Sequence, residues 1–223
     1  MFAISSLERP GVDPFERLAA LLPQTAFGIG PRIVDGGANK GRTVDALLRL
    51  YPKAAIQAFE PIPELARKLA RRFAGDARVA VHQAALGASP QVLPLNILES
   101  RTCSSLLAPT GIREKHADKP MALARRVEVE VVRLDDVLPA GADIVKLDLQ
   151  GFELEALRGA EALLRGVQAV VCEVAFADLY AGQPLADAIV AWMEERGFRL
   201  DGVYRVARDA SGGPVSADAL FLR

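Results

Sequence analysis

The stretch RIVDGGANKGRTVDALLRLYP, residues 32–52, decides how the rest of the chain is read. A short apolar run, residues 32–35, enters a glycine-rich turn, and Val44, Leu47, Leu48 and Tyr51 then recur at helical spacing. Strand, tight turn and helix open a doubly wound α/β sheet, where ligands lie outside the carboxyl ends of the strands. Gly36, Ala38 and Gly41 stand where a dinucleotide fingerprint has its three glycines, so that motif is only partly matched. Asp35 sits at the mouth of the turn. Bare amides and a helix N-terminus attract anions, and a fixed carboxylate among them would repel a phosphate. A ligand that is cationic where it meets Asp35 resolves the conflict. Asp35 as a cap of the helix or a partner for loop amides is the plainer reading, and it is compatible with the first.

Apolar runs and helical patterns alternate outward from this turn. Residues 55–60 read as a second strand, and Ile62, Leu65, Leu69 and Phe73 mark a helix with Pro63 in its first turn. Further strands are expected at 78–81, 143–148, 167–173, 198–203 and 219–222, with helices over 152–164 and around Leu185, Ile189, Trp192 and Met193. Such alternation predicts a mainly parallel sheet with helices on both faces. Residues 91–97 and 126–133, the second containing RVEVEVV, are two extra strands whose exposed edges could pair between subunits in a homodimer. Between them residues 99–125 are polar and rich in breakers, the expected lid and substrate segment. Residues 1–29 contain DPFERLAALL, with Asp13 as N-cap and Pro14 at the first helical position, and are expected to cap the core. The whole, 1–223, is expected to be one domain.

Bulk properties exclude several classes. The 223 residues are 51% hydrophobic and 25% charged with a formal net charge of -1, so no overall positive field draws in nucleic acid or anionic membrane. The cluster Arg67, Lys68, Arg71 and Arg72 is best read as a solvated helix face. Cys103 and Cys172 have neither disulfide-framework nor metal-ligand spacing, and Cys172 sits in an apolar run. No stretch approaches the roughly 20 apolar residues of a membrane span, and no secretion signal is visible at the N-terminus. A cytoplasmic location is the default expectation.

The acidic residues carry the chemistry. Asp35 and Glu60 fall at the carboxyl ends of the first two strands, where a carboxylate such as Glu60 can grip both ribose hydroxyls of either a nicotinamide dinucleotide or S-adenosylmethionine. Asp35 breaks the tie, because S-adenosylmethionine carries an ammonium and a sulfonium and no phosphate. In DIVKLDLQGFELEALRGAEALL, Lys146 and Asp148 lie two apart on one strand face, Gln150 and Gly151 make the turn, and Glu153 opens the next helix. Polar recognition of a substrate hydroxyl is one reading of this set, and a structural ion pair is the other. No His/Asp/Glu cluster has convincing metal spacing, although Asp148 and Glu173 could share an ion.

At this point VDGGANKG, AFEP, AALG, CSSL, VVRLDDVL, DIVKLDLQGFELEALRGA and VVCEVAF together resemble the FkbM-like S-adenosylmethionine-dependent methyltransferases, over residues 32–176. The resemblance implies a Rossmann-like class I methyltransferase fold: a seven-stranded, mostly parallel sheet with helices on both faces and an extra β insertion. It implies methyl transfer to a hydroxyl oxygen of a small molecule, sugar or polyketide-like product. Carried over, Asp35, Gly36, Gly37, Ala38, Asn39 and Gly41 form the cofactor turn, Glu60 holds the ribose with Pro61 beside it, and Ala84 and Ala85 lie near adenine. Ser104 and Ser105 line the cleft, and Asp148, with Lys146, Gln150 and Glu153, faces the methyl donor. Lys40 departs from the family's usual apolar residue. Asp148 is the expected general base with Lys146 orienting it, and His116 is the second candidate. Gln150, Glu153 and Glu173 are expected to meet substrate. His82 reads as structural or adjacent to adenine. A nicotinamide-dependent oxidoreductase and a methyltransferase-like binding protein without turnover are the alternatives.

Overall fold

The structure, a computed structural model, describes residues 4–110 and 121–223. Its central sheet contains seven strands. They are β1 (Arg32–Gly36), β2 (Ala55–Phe59), β3 (Val79–His82), β7 (Ile144–Leu147), β8 (Ala169–Ala175), β9 (Arg199–Arg208) and β10 (Pro214–Leu222), in the spatial order β3-β2-β1-β7-β8-β10-β9. All pairings are parallel except those of β10, which runs antiparallel to β8 and β9. The remaining strands, β4 (Ala85–Leu86), β5 (Gln91–Leu98) and β6 (Leu123–Val132), form a separate sheet in the order β4-β6-β5, the extra insertion. Here β6 is flanked by β5 and, at Val131 and Val132, by β4. Of the two insertion strands expected to offer an open edge, β5 is therefore the one at the border of its sheet.

Helices cover both faces of the main sheet because β1 and β7 are buried on both sides, as parallel strands are. On one face α2 (Pro14–Leu21) and α3 (Arg42–Leu50) bury Phe15, Leu18, Val44 and Leu47 against Ile33, Ile56 and Ile144. The other face carries α6 (Glu153–Arg158) and α7 (Ala186–Glu194), which bury Leu157 and Ile189 against Val145, Val170 and Cys172. In α4 (Pro63–Arg72), Leu65 packs with Ala85, Ile97 and Val131 and so joins the two sheets. Two short helices, α1 (Ile4–Leu7) and α5 (Leu134–Val137), complete the set. Asp13 caps α2, accepting from the amides of Phe15 and Glu16, with Pro14 as first helical residue. Among the described residues no helix is long and apolar enough to cross a membrane.

Two expectations about elements need correction. The helix expected over 152–164 stops at Arg158 and resumes as a 3-10 turn at Leu163–Gly166. The break falls at Gly159, where a Cβ would sit 2.0 Å from the carbonyl oxygen of Gly87, so the chain must turn past that backbone. The last two strands are longer than their apolar cores. They form one hairpin whose polar tip is tied by the Asp209 carboxylate to the amides of Ser211 and Gly213 at 2.8 and 2.9 Å.

The chain leaves β1 outward to β2 and β3, then returns to β7 on the opposite flank of β1. The carboxyl ends of β1 and β7 thus form a topological switch point, where open α/β sheets bind ligands.

Candidate functional site

At that switch point lies a cavity of about 260 Å³. Its walls are the glycine turn after β1, the ends of β2 and β7, residues 84–86, and residues 101–106 of the segment following β5. Gly37, Ala38 and Asn39 line it, as do Glu60, Pro61, Ala84 and Ala85. Ser104, Ser105, Lys146, Asp148 and Gln150 complete the group of expected residues found there. Asp35, Gly36, Gly41, Glu153 and Glu173 are outside its lining. His116 lies outside the described residues.

Four amides of the turn are engaged internally. Gly37 and Ala38 both donate to the carbonyl of Phe59 at 3.0 Å, Gly41 donates to Ala38 at 2.8 Å, and Asn39 donates to a Glu60 carboxylate oxygen at 2.8 Å. These four N–H groups are therefore not open to a phosphate. Gly37 has φ 75°, and a Cβ there would lie 2.0 Å from the carbonyl oxygen of Asp148. Only glycine lets the turn and the β7 loop touch.

Glu60 is buried, with one oxygen held by Asn39 and the other by the amide of Ile62 at 2.8 Å. Burial pushes its pKa up to about 7, against the lowering pull of those amides. Each oxygen keeps a free lone pair toward the cavity.

Asp35 is placed otherwise than its sequence position promised. It is fully buried, and its carboxylate lies 2.9 Å from Lys146 Nζ, because Asp35 and Lys146 are register partners on β1 and β7. Lys146 Nζ also donates to the carbonyls of Gly36 and Gly37 at 3.0 and 3.2 Å. An ammonium has three donors, and these partners take all of them. Burial raises the pKa of Asp35 in opposition to Lys146, whereas for Lys146 the lowering by burial is outweighed by Asp35 and Asp148. The pair therefore pins the turn to β7 from below. Direct contact of Asp35 with a cationic ligand is replaced by an internal ion pair, and Lys146 has no donor left with which to orient Asp148.

The β7 loop is held by a second network. Gln150, at φ 55°, donates through Nε2 to Asp148 at 2.6 Å and to Glu173 at 2.8 Å. Its amide nitrogen thus stands between the two carboxylates that a shared ion would have bridged. On the other side Gln150 Oε1 accepts from the Tyr180 hydroxyl at 2.8 Å, which also lies 3.0 Å from the carbonyl of Cys103. Ser105 Oγ donates to the Gln150 carbonyl at 2.7 Å. Glu153 is buried and accepts from the amides of Leu149 and Gly151, at 2.6 and 2.9 Å. It shapes the loop, and it lies outside the lining of the cavity in which a substrate contact was expected. Asp148, Glu153 and Glu173 bring their ligand atoms within 4.8 Å of one another, but these bonds already engage them.

Of the expected lid segment, residues 101, 102 and 104–106 belong to the cavity wall, and the residues around them are tied to the body of the protein. Asn96 Nδ2 holds the carbonyls of Ser105 and Leu107 at 3.2 and 3.0 Å, and Thr110 donates to Leu179 at 2.9 Å. His82 stacks on Phe59 with centroids 4.5 Å apart and bonds Gln57 at 2.7 Å. Phe59, Arg42, Arg101 and Phe152 also line the cavity, and Tyr180 holds it from behind. Phe59, Arg42 and Phe152 stood inside stretches the sequence reading used without being singled out, whereas Arg101 and Tyr180 stood in no motif.

The chain matches the family described as Methyltransferase FkbM domain over residues 35–200. It is 34% identical to "Methyltransferase sdnD" of Sordaria araneosa over 195 residues, covering 75% of this chain and 73% of that protein. The crystal structure of Methyltransferase FkbM from Methylobacillus flagellatus KT is similar with a TM-score of 0.57 and 14% identity. That similarity covers 99% of this chain, which spans about half (49%) of the other. The N-terminal domain of EvdMO1, solved in the presence of SAH and D-fucose, is similar with a TM-score of 0.50 and 14% identity, over 95% and 82% of the two chains. A methyltransferase relationship leaves no place for the nicotinamide alternative. The chain belongs to the FkbM methyltransferase family.

Proposed function

We propose that the cavity binds S-adenosylmethionine and that the chain transfers its methyl group to a hydroxyl oxygen of a small molecule, such as a sugar or a polyketide-like product. The observation that carries this reading is the pairing of two different carboxylates in one cavity at the switch point. Glu60 is buried with lone pairs to spare, and Asp148 is half-buried on the β7 loop. The fit is chemical. Glu60 offers acceptors to two ribose hydroxyls, Phe59, Ile62, Ala84 and Leu86 give an apolar slot for adenine, and the amides of Gly37, Ala38, Asn39 and Gly41 are engaged internally and so not offered to a pyrophosphate. That EvdMO1 was solved in the presence of both SAH and D-fucose supports a hydroxylated sugar as one acceptor class.

When bound, the cofactor supplies an electrophilic methyl group on a sulfonium sulfur. The chain's own task is to align the acceptor, exclude water and take one proton. Asp148 would take the proton that the acceptor hydroxyl gives up as its oxygen is methylated. Gln150 fixes Asp148 by one N–H and Glu173 by the other. Tyr180, by donating to Gln150 Oε1, keeps that amide the right way round. Tyr180→Phe frees the amide to rotate. We expect kcat to fall about tenfold with SAH affinity unchanged, read by steady-state rates and calorimetry.

The direct test is calorimetric titration with SAH against NAD and NADP controls, followed by methyl-transfer assays on a panel of hydroxylated acceptors. Micromolar SAH binding and O-methyl products support the proposal. Binding of a nicotinamide nucleotide instead, or SAH binding with no turnover on any acceptor, would sink it. Because the Glu60 pKa is raised to about 7 by burial, the free protein holds a proton there below pH 7. Ribose hydroxyls need the ionised form as acceptor, so SAH affinity should weaken about tenfold per pH unit below 7 and level off above it. Glu60→Gln should bind more weakly with no such slope.

A further inference from the structure

Next to the cofactor cavity runs an open groove with four cationic side chains in its walls, Lys40, Lys68, Arg72 and Arg101, over a floor of Leu65 and Leu69. No carboxylate lines it. The chain as a whole carries a net charge of -1, so this concentration does not follow from its composition. The cations come from three separate places: the glycine turn, α4, and the segment after β5. Lys68 and Arg72 are exposed on α4, as a solvated helix face has them, and here they are joined by cations from two other places. Of the nearby carboxylates, Asp45 pairs with Arg72 of the groove at 2.5 Å, and Glu64 is committed elsewhere, to Arg125. Among the described residues Lys40, Lys68 and Arg101 have no ion-pair partner. Arg72 is also anchored by its bond to the carbonyl of Lys40 at 2.6 Å, which fixes its guanidinium beside the turn.

Like charges one helical turn apart on α4 oppose folding by a few tenths of a kcal/mol, and a concave basic surface focuses its field outward into the groove. Both features suit an anion with several acceptor oxygens and more than one charge, which describes a phosphate better than a carboxylate. Lys40 and Arg101 line the groove and the cofactor cavity alike, so the two spaces are continuous. We propose that this groove binds a phosphate group carried by the methyl acceptor, whose hydroxyl end enters the cavity; this deepens, and rests on, the methyl-transfer reading.

The test is calorimetric titration of inorganic pyrophosphate into the SAH-saturated protein at low salt, for the wild type and for Lys68→Glu. Lys68 lines the groove and not the cavity. We expect saturable binding that weakens at least tenfold in Lys68→Glu and falls with added salt, while SAH affinity stays within twofold. Absence of pyrophosphate binding, or binding indifferent to Lys68→Glu, overturns the proposal while SAH binding stands. Equal weakening of SAH would assign these cations to the cofactor's own carboxylate and overturn it also. In turnover, pyrophosphate should raise the acceptor KM without lowering kcat. A fall in kcat alone would mean a free anion acting as an effector, and the acceptor assignment would be lost.

Discussion

Asp148→Asn is expected to lower kcat by about 10² to 10⁴, the usual worth of a positioned general base, while leaving SAH affinity within about twofold. The two side chains have nearly the same shape, and Asn can still accept from Gln150 Nε2 through its oxygen, so the bond now at 2.6 Å has a replacement. What disappears is the capacity to accept a proton from the acceptor hydroxyl. Glu60, which would hold the ribose, lies at the end of β2, away from the substitution. Single-turnover rates at saturating cofactor, paired with calorimetry on the same preparation, separate chemistry from binding. A rate within threefold of the wild type would remove Asp148 as the base and leave alignment and water exclusion as the whole of catalysis. Loss of SAH binding in parallel would instead place Asp148 in the cofactor's grip.

Much of the architecture was readable because it rests on local periodicity. The run entering residues 32–52, the helical spacing after it and the recurring strand–helix alternation fixed a parallel sheet. The breaker-rich stretch with two flanking alternating strands marked the insertion. Side-chain orientation across strands was not readable. Asp35 and Lys146 are 111 positions apart in sequence, and only the pairing of β1 with β7 makes them neighbours. A carboxylate at the mouth of a glycine turn therefore looked like a ligand contact when its partner was internal. The cofactor class survives this correction on other grounds, since the turn's amides are occupied by Phe59 and Glu60. Tyr180 failed to register for the same reason: it follows β8 in an irregular loop, and its bond to Gln150 spans 30 positions. Glu153 was rightly placed at the start of its helix, yet its length lets it turn back onto Leu149 and Gly151, which no spacing rule foretells.

The distinction between a structural and a catalytic Lys146 has a sharp consequence. Lys146→Met should destabilise the protein by about 3–5 kcal/mol, the cost of breaking a buried pair and stranding its partner charge. Asp35 would remain fully buried without the cation it pairs with, and the carbonyls of Gly36 and Gly37 would each lose a donor. Adding Asp35→Asn removes the stranded charge, so the double variant should be more stable than Lys146→Met alone. Independent sites would add their costs, whereas a coupled pair reverses the order. Equilibrium urea unfolding of the single and double variants measures this directly, with the slope checked for unchanged two-state behaviour. The alternative makes the opposite forecast. A lysine that acted on the substrate hydroxyl would lose kcat on substitution by methionine and keep its stability within about 1 kcal/mol, because a group poised for substrate is not also holding the turn. Since the three donors of Lys146 point at Asp35, Gly36 and Gly37, stability is the quantity that should move. Any loss of activity should then follow from a turn that no longer holds Glu60 and Asn39 in contact, and it should appear first as weakened SAH binding.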